Sequence, residues 1–246
     1  MLWWQDHLTG TGGLRVDRVF TDRLGGVSSG AMTSLNLGGN VGDDPVLVEE
    51  NRGRLATAIG VPRERLVLMN QVHGRDVQIV TSAMPDPGAC DGTVTTSVDL
   101  ALVVLVADCT PVLLADVDAG VVAAVHAGRP GMTGRIVNVA IDRMRQLGGR
   151  RLVAAVGPSV CGRCYEVPAQ MRDAAQQVSP SARAVSWTGT PAIDVAAGVV
   201  QQLHERGVEV TWVPGCTRES HDLFSYREDQ QAGRQAGVIV LRTARA

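Results

Sequence analysis

Two kinds of hydrophobic pattern alternate along the chain. Short apolar runs rich in β-branched residues occupy 66–74, 77–80, 100–107, 111–117, 120–127, 151–158 and 208–215, and they predict strands. Longer stretches with apolar residues at helical spacing and polar backs occupy 45–60, 132–149, 168–178 and 190–207, and they predict helices. Pro near the first turn and Gly at the end punctuate several of them. Strands and helices interleave, with consecutive strands in the middle. The pattern is that of an α/β or α+β layered domain with a central hairpin. The Gly-rich TGTGG near the start and the Pro/Gly/Asp-rich window 82–92 predict loops. Neither divides the sequence, so one domain is expected over 1–246.

The central hairpin carries the first chemistry. Folding 106–128 about the VDAG turn pairs Asp116 with Val121 and Pro111 with His126. Cys109 then lies two residues beyond the partner of His126 and shares its face. Such diagonal neighbours stand roughly 7–8 Å apart between Cα atoms, close enough for both side chains to reach one ion. A turn one residue longer would reverse the parity. Taken singly, a strand Cys or His is more often a buried core residue than a ligand. A third candidate shifts the balance. His73 closes an apolar run just before Gly74, where strand ends open into loops that commonly carry sites. His73, Cys109 and His126 make a two-His, one-Cys set, the donor number of an open catalytic zinc site.

Composition narrows the function. In a chain of 246 residues, a net charge of −2 gives no electrostatic reason to expect nucleic acid or an anionic membrane as partner. Aromatics at 3% do not furnish a base-stacking platform. The longest clean apolar run, 100–107, is far short of a membrane span. The N-terminus has no signal-peptide pattern, and the five cysteines are an odd count. A cytoplasmic location with reduced thiols is expected.

Many ordered motifs carry a family resemblance: SLNLGGNVGDDP (34–45), ENRGRL (50–55), NQVHG (70–74), CDGTVT (90–95) and ADCTPVLLAD (107–116). They continue through VAAVHAG (122–128), GPSVCGRCYEV (157–167) and FSYREDQQAGRQAGVIVL (224–241). The sequence resembles the YfiH-type, or laccase-domain, family, long labelled multicopper polyphenol oxidase. The resemblance implies an α/β/β/α layered sandwich related to toxin cysteine-hydrolase domains. It implies that His73, Cys109 and His126 bind the metal and serve catalysis. It further implies purine nucleoside phosphorolysis and adenosine deamination, including cleavage of methylthioadenosine; some bacterial members are linked instead to editing of peptidoglycan precursors. Two departures bear on substrate choice. The family's HAGWRG reads HAGRPG, which places Arg129 and Pro130 after Gly128, and a frequent His is Asn40.

Other residues are weighed beside these. Asn51, Arg52, Gln71 and Arg129 are expected to contact substrate, with the planar fork of Arg52 suited to a phosphate or carboxylate. Asp91, Asp108 and Gln71 flank the trio, and any of them is suited to orient a ligating His. Asp43 and Asp44 read as helix caps. Cys161 and Cys164 form a C-x-x-C with no second pair in evidence and read as incidental loop cysteines. His7, His204 and His221 read as surface or structural.

Three readings follow. The first is an enzyme holding one zinc ion per chain, which activates a water for deamination, while inorganic phosphate displaces the base in phosphorolysis. The second is a cysteine hydrolase acting on peptidoglycan precursors, with Cys109 as nucleophile and His126 as base. The third is a non-catalytic binding protein stabilised by zinc. Multicopper oxidation is not expected, because five histidines do not furnish an imidazole-rich copper cluster. Adventitious copper at the trio is expected from the Irving–Williams order.

Overall fold

The computed structural model describes residues 1–81 and 87–243. Along the chain run β1 (Leu2–Thr9), β2 (Leu14–Thr21), α1 (Pro45–Ala58), β3 (Leu66–Leu68), β4 (Val77–Ile79), β5 (Gly92–Thr95), β6 (Ala101–Val106), β7 (Thr110–Asp116) and β8 (Val121–Ala127). They are followed by α2 (Arg129–Thr133), α3 (Ile136–Gln146), β9 (Val153–Val156), α4 (Ala169–Val178), β10 (Arg183–Val185), β11 (Pro191–Ile193), α5 (Val195–Glu205), β12 (Glu209–Trp212) and β13 (Gln235–Thr243).

The larger strands form two mixed sheets. One has the order β1-β2-β13-β6-β3, the other β12-β9-β7-β8-β5-β4. Side-chain alternation shows how they stack. Leu102 and Val104 of β6, Leu113 and Ala115 of β7, and Val122 and Ala124 of β8 share one buried cluster between the sheets. The opposite parity faces outward. Ala101 and Val103 of β6 pack with Leu55 and Ala56 of α1. Val112 and Leu114 of β7 and Ala123 and Val125 of β8 pack under α2, α3 and α5. The layers are therefore helix, sheet, sheet and helices, the α/β/β/α sandwich that the family resemblance implies. Covering both faces of β6, β7 and β8 is what lets these strands be apolar at nearly every position.

The hairpin register is the expected one, with Pro111 opposite His126 and Asp116 opposite Val121. Elsewhere the elements differ from the sequence pattern. The strand expected at 66–74 stops at Leu68, leaving Asn70 in an isolated bridge with Ala89. Beyond it the backbone turns through His73, whose φ of 59° cannot continue a strand. The helix expected at 132–149 is two helices, α2 and α3, parted at Arg135 with φ 58°. The first residues of the helix expected at 190–207 instead form β11, paired with β10. The charged pattern of β2 conceals its strand: buried Arg18 is matched by a forked pair of bonds to Asp6 on β1, at 2.9 and 2.6 Å. Of the loop expected at 82–92, residues 82–86 lie outside the described residues. Among the described residues, no helix is long and apolar enough to cross a membrane.

Candidate active site

Face parity brings the first donors together. Cys109 immediately precedes β7, and His126 is the penultimate residue of β8. Both have the parity of the inter-sheet face, and Cys109 packs against that core at its rim. The loop between β3 and β4 delivers His73. Its Nε2 lies 3.7 Å from Cys109 Sγ, and its ring meets the His126 ring edge-on at 4.8 Å. One donor atom from each of the three residues lies within 4.8 Å of the others. Gly128 makes the close approach possible: a Cβ there would stand 2.9 Å from His73 Cδ2 and 3.1 Å from Cys109 Sγ.

Asp91 holds the set in place. Its Oδ1 accepts the His126 Nδ1–H at 2.8 Å, which leaves Nε2 as the donor nitrogen of that ring. The same carboxylate accepts the backbone N–H groups of His73 at 3.0 Å and Gly74 at 2.6 Å. Burial alone would raise the Asp91 carboxyl, but the bonds from His126 and from the Gly74 and Val72 N–H groups hold it below the ordinary carboxylate range. Asp108, at φ 86°, is held by different partners: the hydroxyls of Thr217 and Ser225 and the Arg227 N–H, at 2.6–2.7 Å. It therefore fixes the turn into Cys109 rather than orienting a histidine. The Gln71 amide is committed to the Leu105 backbone through a pair of 2.8 Å bonds.

The electrostatics bind the trio further. Burial would raise the Cys109 thiol, yet hydrogen bonding and charge from His126 and then His73 bring it down to about 6. Burial would lower His126, yet Asp91 and Cys109 raise it to about 9. Both shifts favour the charged pair of thiolate and imidazolium.

The three donors open into a cavity of about 870 Å³. Gln71 and Arg129 line it, as do Asn40 and Pro130, the positions where the sequence departs from the family pattern. Asn51 and Arg52, expected to contact substrate, stand behind the wall instead. Asn51 is fully buried, and its amide bonds to Val27, Ser28, Ser34 and Asn36. Arg52 donates to the Leu37 carbonyl at 3.1 Å, just before the lining residues Gly38 and Gly39. The helix that carries both turns that face toward the 27–39 loop. The cations on the cavity wall besides Arg129 are Arg227 and Arg234, and Tyr165 and Tyr226 supply aromatic surface. Sequence reasoning passed over these four, although they sit within or beside motifs that carry the resemblance. Arg227 stacks over Tyr165 at 4.4 Å. Burial lowers the Arg234 guanidinium, opposed by the charges of Cys109 and Asp108.

A second cluster corrects the reading of Cys161 and Cys164 as incidental. Cys216 and Glu219 join them, with one donor atom from each of the four within 4.8 Å of the rest. The partner pair is C-x-x-E rather than C-x-x-C, and about fifty residues separate the two, so cysteine spacing alone did not reveal it. His7, His204 and His221 are exposed and belong to neither cluster.

Comparison with known proteins agrees with this architecture. Residues 17–242 match the family described as multi-copper polyphenol oxidoreductase laccase. A Streptomyces coelicolor protein named purine nucleoside phosphorylase is 52% identical over 227 residues, covering 90% of this chain and 94% of that protein. The crystal structure of a Neisseria meningitidis protein of family DUF152 superposes with a TM-score of 0.84 at 30% identity, covering 98% of this chain and 99% of the other. A Bacillus licheniformis hypothetical protein, YfiH, also gives a TM-score of 0.84, at 27% identity and 92% coverage of both chains.

Proposed function

The chain belongs to the multi-copper polyphenol oxidoreductase laccase family, and we propose that it is a zinc-dependent purine nucleoside phosphorylase that also deaminates adenosine. The observation that carries this reading is the meeting of a two-His, one-Cys donor set with three arginines and two tyrosines in one cavity. The naming of the Streptomyces coelicolor relative supports the substrate class.

The donors fit a metal. Three side chains offer nitrogen and sulfur at mutual reach, one histidine is oriented through its far nitrogen, and Gly128 leaves the space clear. His73, Cys109 and His126 would hold a zinc ion, which would supply Lewis-acid chemistry there. The chain's own groups do the rest. Arg129, Arg227 and Arg234 are placed to hold phosphate, and the tyrosine faces to stack on a purine. In phosphorolysis a phosphate oxygen forms a bond to the ribose anomeric carbon. The glycosidic C–N bond breaks, and its electron pair leaves with the base, which takes up a proton. In deamination water adds at the purine carbon that bears the amino group, and ammonia leaves.

A laccase cluster fits the molecule less well. The His₂Cys set accepts copper, but the three remaining histidines lie exposed and outside both donor clusters.

One observation favours a second reading. Cys109, His126 and Asp91 form a nucleophile–base–orienter chain, with the thiol brought down to about 6. That is the arrangement of a cysteine hydrolase, for which a peptidoglycan precursor is the candidate substrate. Metal analysis with product analysis on adenosine, inosine and methylthioadenosine, with and without phosphate, tests the proposal. Release of free base only with phosphate, alongside bound zinc, supports phosphorolysis; no product from any nucleoside removes it.

A further inference from the structure

Outside the cavity, two short segments adopt the same turn. In the first, the N–H groups of Cys164 and Tyr165 both bond to the Cys161 carbonyl, at 3.0 and 3.1 Å. In the second, the N–H groups of Glu219 and Ser220 both bond to the Cys216 carbonyl, at 3.2 and 3.0 Å. Each turn therefore presents a donor at its first and fourth positions. An isolated parallel bridge between Ser159 and Cys216 sets the turns side by side.

We propose that Cys161, Cys164, Cys216 and Glu219 form a second, structural metal site that takes zinc, joining these two turns. The four donor atoms already lie within 4.8 Å of one another. Tetrahedral zinc with bonds of ~2.3 Å to sulfur needs ligands ~3.8 Å apart, so closure calls for only small side-chain movement. Thiolate-rich sets select zinc over the hard cations. The surroundings orient the donors as outer-shell groups do at such centres. The Cys161 N–H points at Cys216 Sγ at 3.4 Å, and the Trp187 indole N–H fixes Glu219 Oε1 at 3.0 Å. Arg163 in turn stacks over Trp187 at 4.3 Å. The cysteines form no disulfide with one another.

The site is placed to brace the cavity wall, whichever reaction the cavity hosts. The Val160 N–H bonds to the Asp108 carbonyl at 3.0 Å, and the Thr217 hydroxyl bonds to the Asp108 carboxylate at 2.6 Å. Tyr165, next to Cys164, lines the cavity. A metal joining the two turns thus fixes two of the supports of Asp108, the residue that precedes Cys109.

The test separates the two sites. In the full-length His73→Ala/Cys109→Ser protein, titration with cobalt chloride should still bind one equivalent and show thiolate-to-cobalt charge transfer. Adding Glu219→Ala, at an exposed position, should weaken that binding by about tenfold or more. The wild-type thiols provide a second measurement that does not depend on the folding of a variant. Mass mapping of zinc-loaded protein should find Cys161, Cys164 and Cys216 protected from iodoacetamide and reactive after chelation. No cobalt uptake by the double variant overturns the proposal, as does equal alkylation with and without zinc.

Discussion

A single Asp91 carboxylate accepts both the His126 ring N–H, at 2.8 Å, and the His73 backbone N–H, at 3.0 Å. Two metal-ligand candidates more than fifty residues apart are thereby oriented by one group. Asp91→Asn leaves the volume nearly unchanged but removes the charge. Zinc affinity at the trio should fall roughly 10–100-fold. Competition with a chromophoric chelator measures it, and unchanged affinity would refute the orienting role.

Cys109 distinguishes the two mechanisms through its reactivity. Without a metal, hydrogen bonding and charge from His126 and His73 outweigh burial and bring the Cys109 thiol down from 9.0 to about 6. A lowered value means that the thiolate appears as pH rises through about 6, so the alkylation rate should climb there and level off near pH 7. With zinc bound, the sulfur lone pair is committed and alkylation should be slow at every pH. A metal-free enzyme that is fully active and loses activity in step with alkylation would instead establish the cysteine hydrolase.

His73 has a role in only one of the readings. As a ligand, its replacement by Ala should remove zinc and nucleoside cleavage together. In a Cys109–His126–Asp91 hydrolase, the same variant should keep a reactive thiol and most of its activity. Elemental analysis beside single-turnover assays tells the two apart.

Arg234 is a half-buried cation on the cavity wall. If it holds phosphate, Arg234→Gln should raise the KM for phosphate about 10–100-fold, the cost of one charge-assisted contact, while nucleoside binding changes little. Initial rates measured over a phosphate series at saturating nucleoside check this. An unchanged phosphate KM would assign the anion to Arg129 or Arg227.

Asp116 gives a stability test away from the cavity. Its carboxylate closes β7 by accepting the N–H groups of Ala119, Arg150 and Arg151 at 2.6–3.0 Å. Burial alone would raise its carboxyl, but these three donors hold it low. A lowered folded value means that the stabilisation is present above the ordinary carboxylate range and is lost as pH falls through the folded value. Asp116→Ala should therefore cost about 2 kcal/mol at pH 7. That gap should shrink as urea denaturation is repeated below about pH 4.

What could be read from the sequence depended on distance along the chain. Cys109 and His126 sit on one hairpin whose short turn fixes the register, so their common face followed from parity alone. His73 stood out because a polar, Gly-terminated end follows an apolar run. Asp91 was one of three acceptable flanking residues, because nothing in its immediate sequence reveals that its carboxylate reaches back to the 72–74 loop. Asn51 and Arg52 carried the polar character of substrate contacts, yet the rotation of α1 set them against a neighbouring loop. Arg227 and Arg234 reach the cavity from a segment about a hundred residues beyond the hairpin. Cys216 and Glu219 were hidden for the same reason.

The pairing of β7 with β8 has a consequence for folding as well. A slip of one residue would turn His126 toward the helices and leave Cys109 facing the other sheet without its partner. Such a misaligned chain cannot gather the three donors, so it gains nothing from the ion. An ion that binds only the aligned form draws the population toward it by mass action. If the trio holds its proposed ion, metal supply would favour the aligned pairing of β7 and β8 over the slipped one.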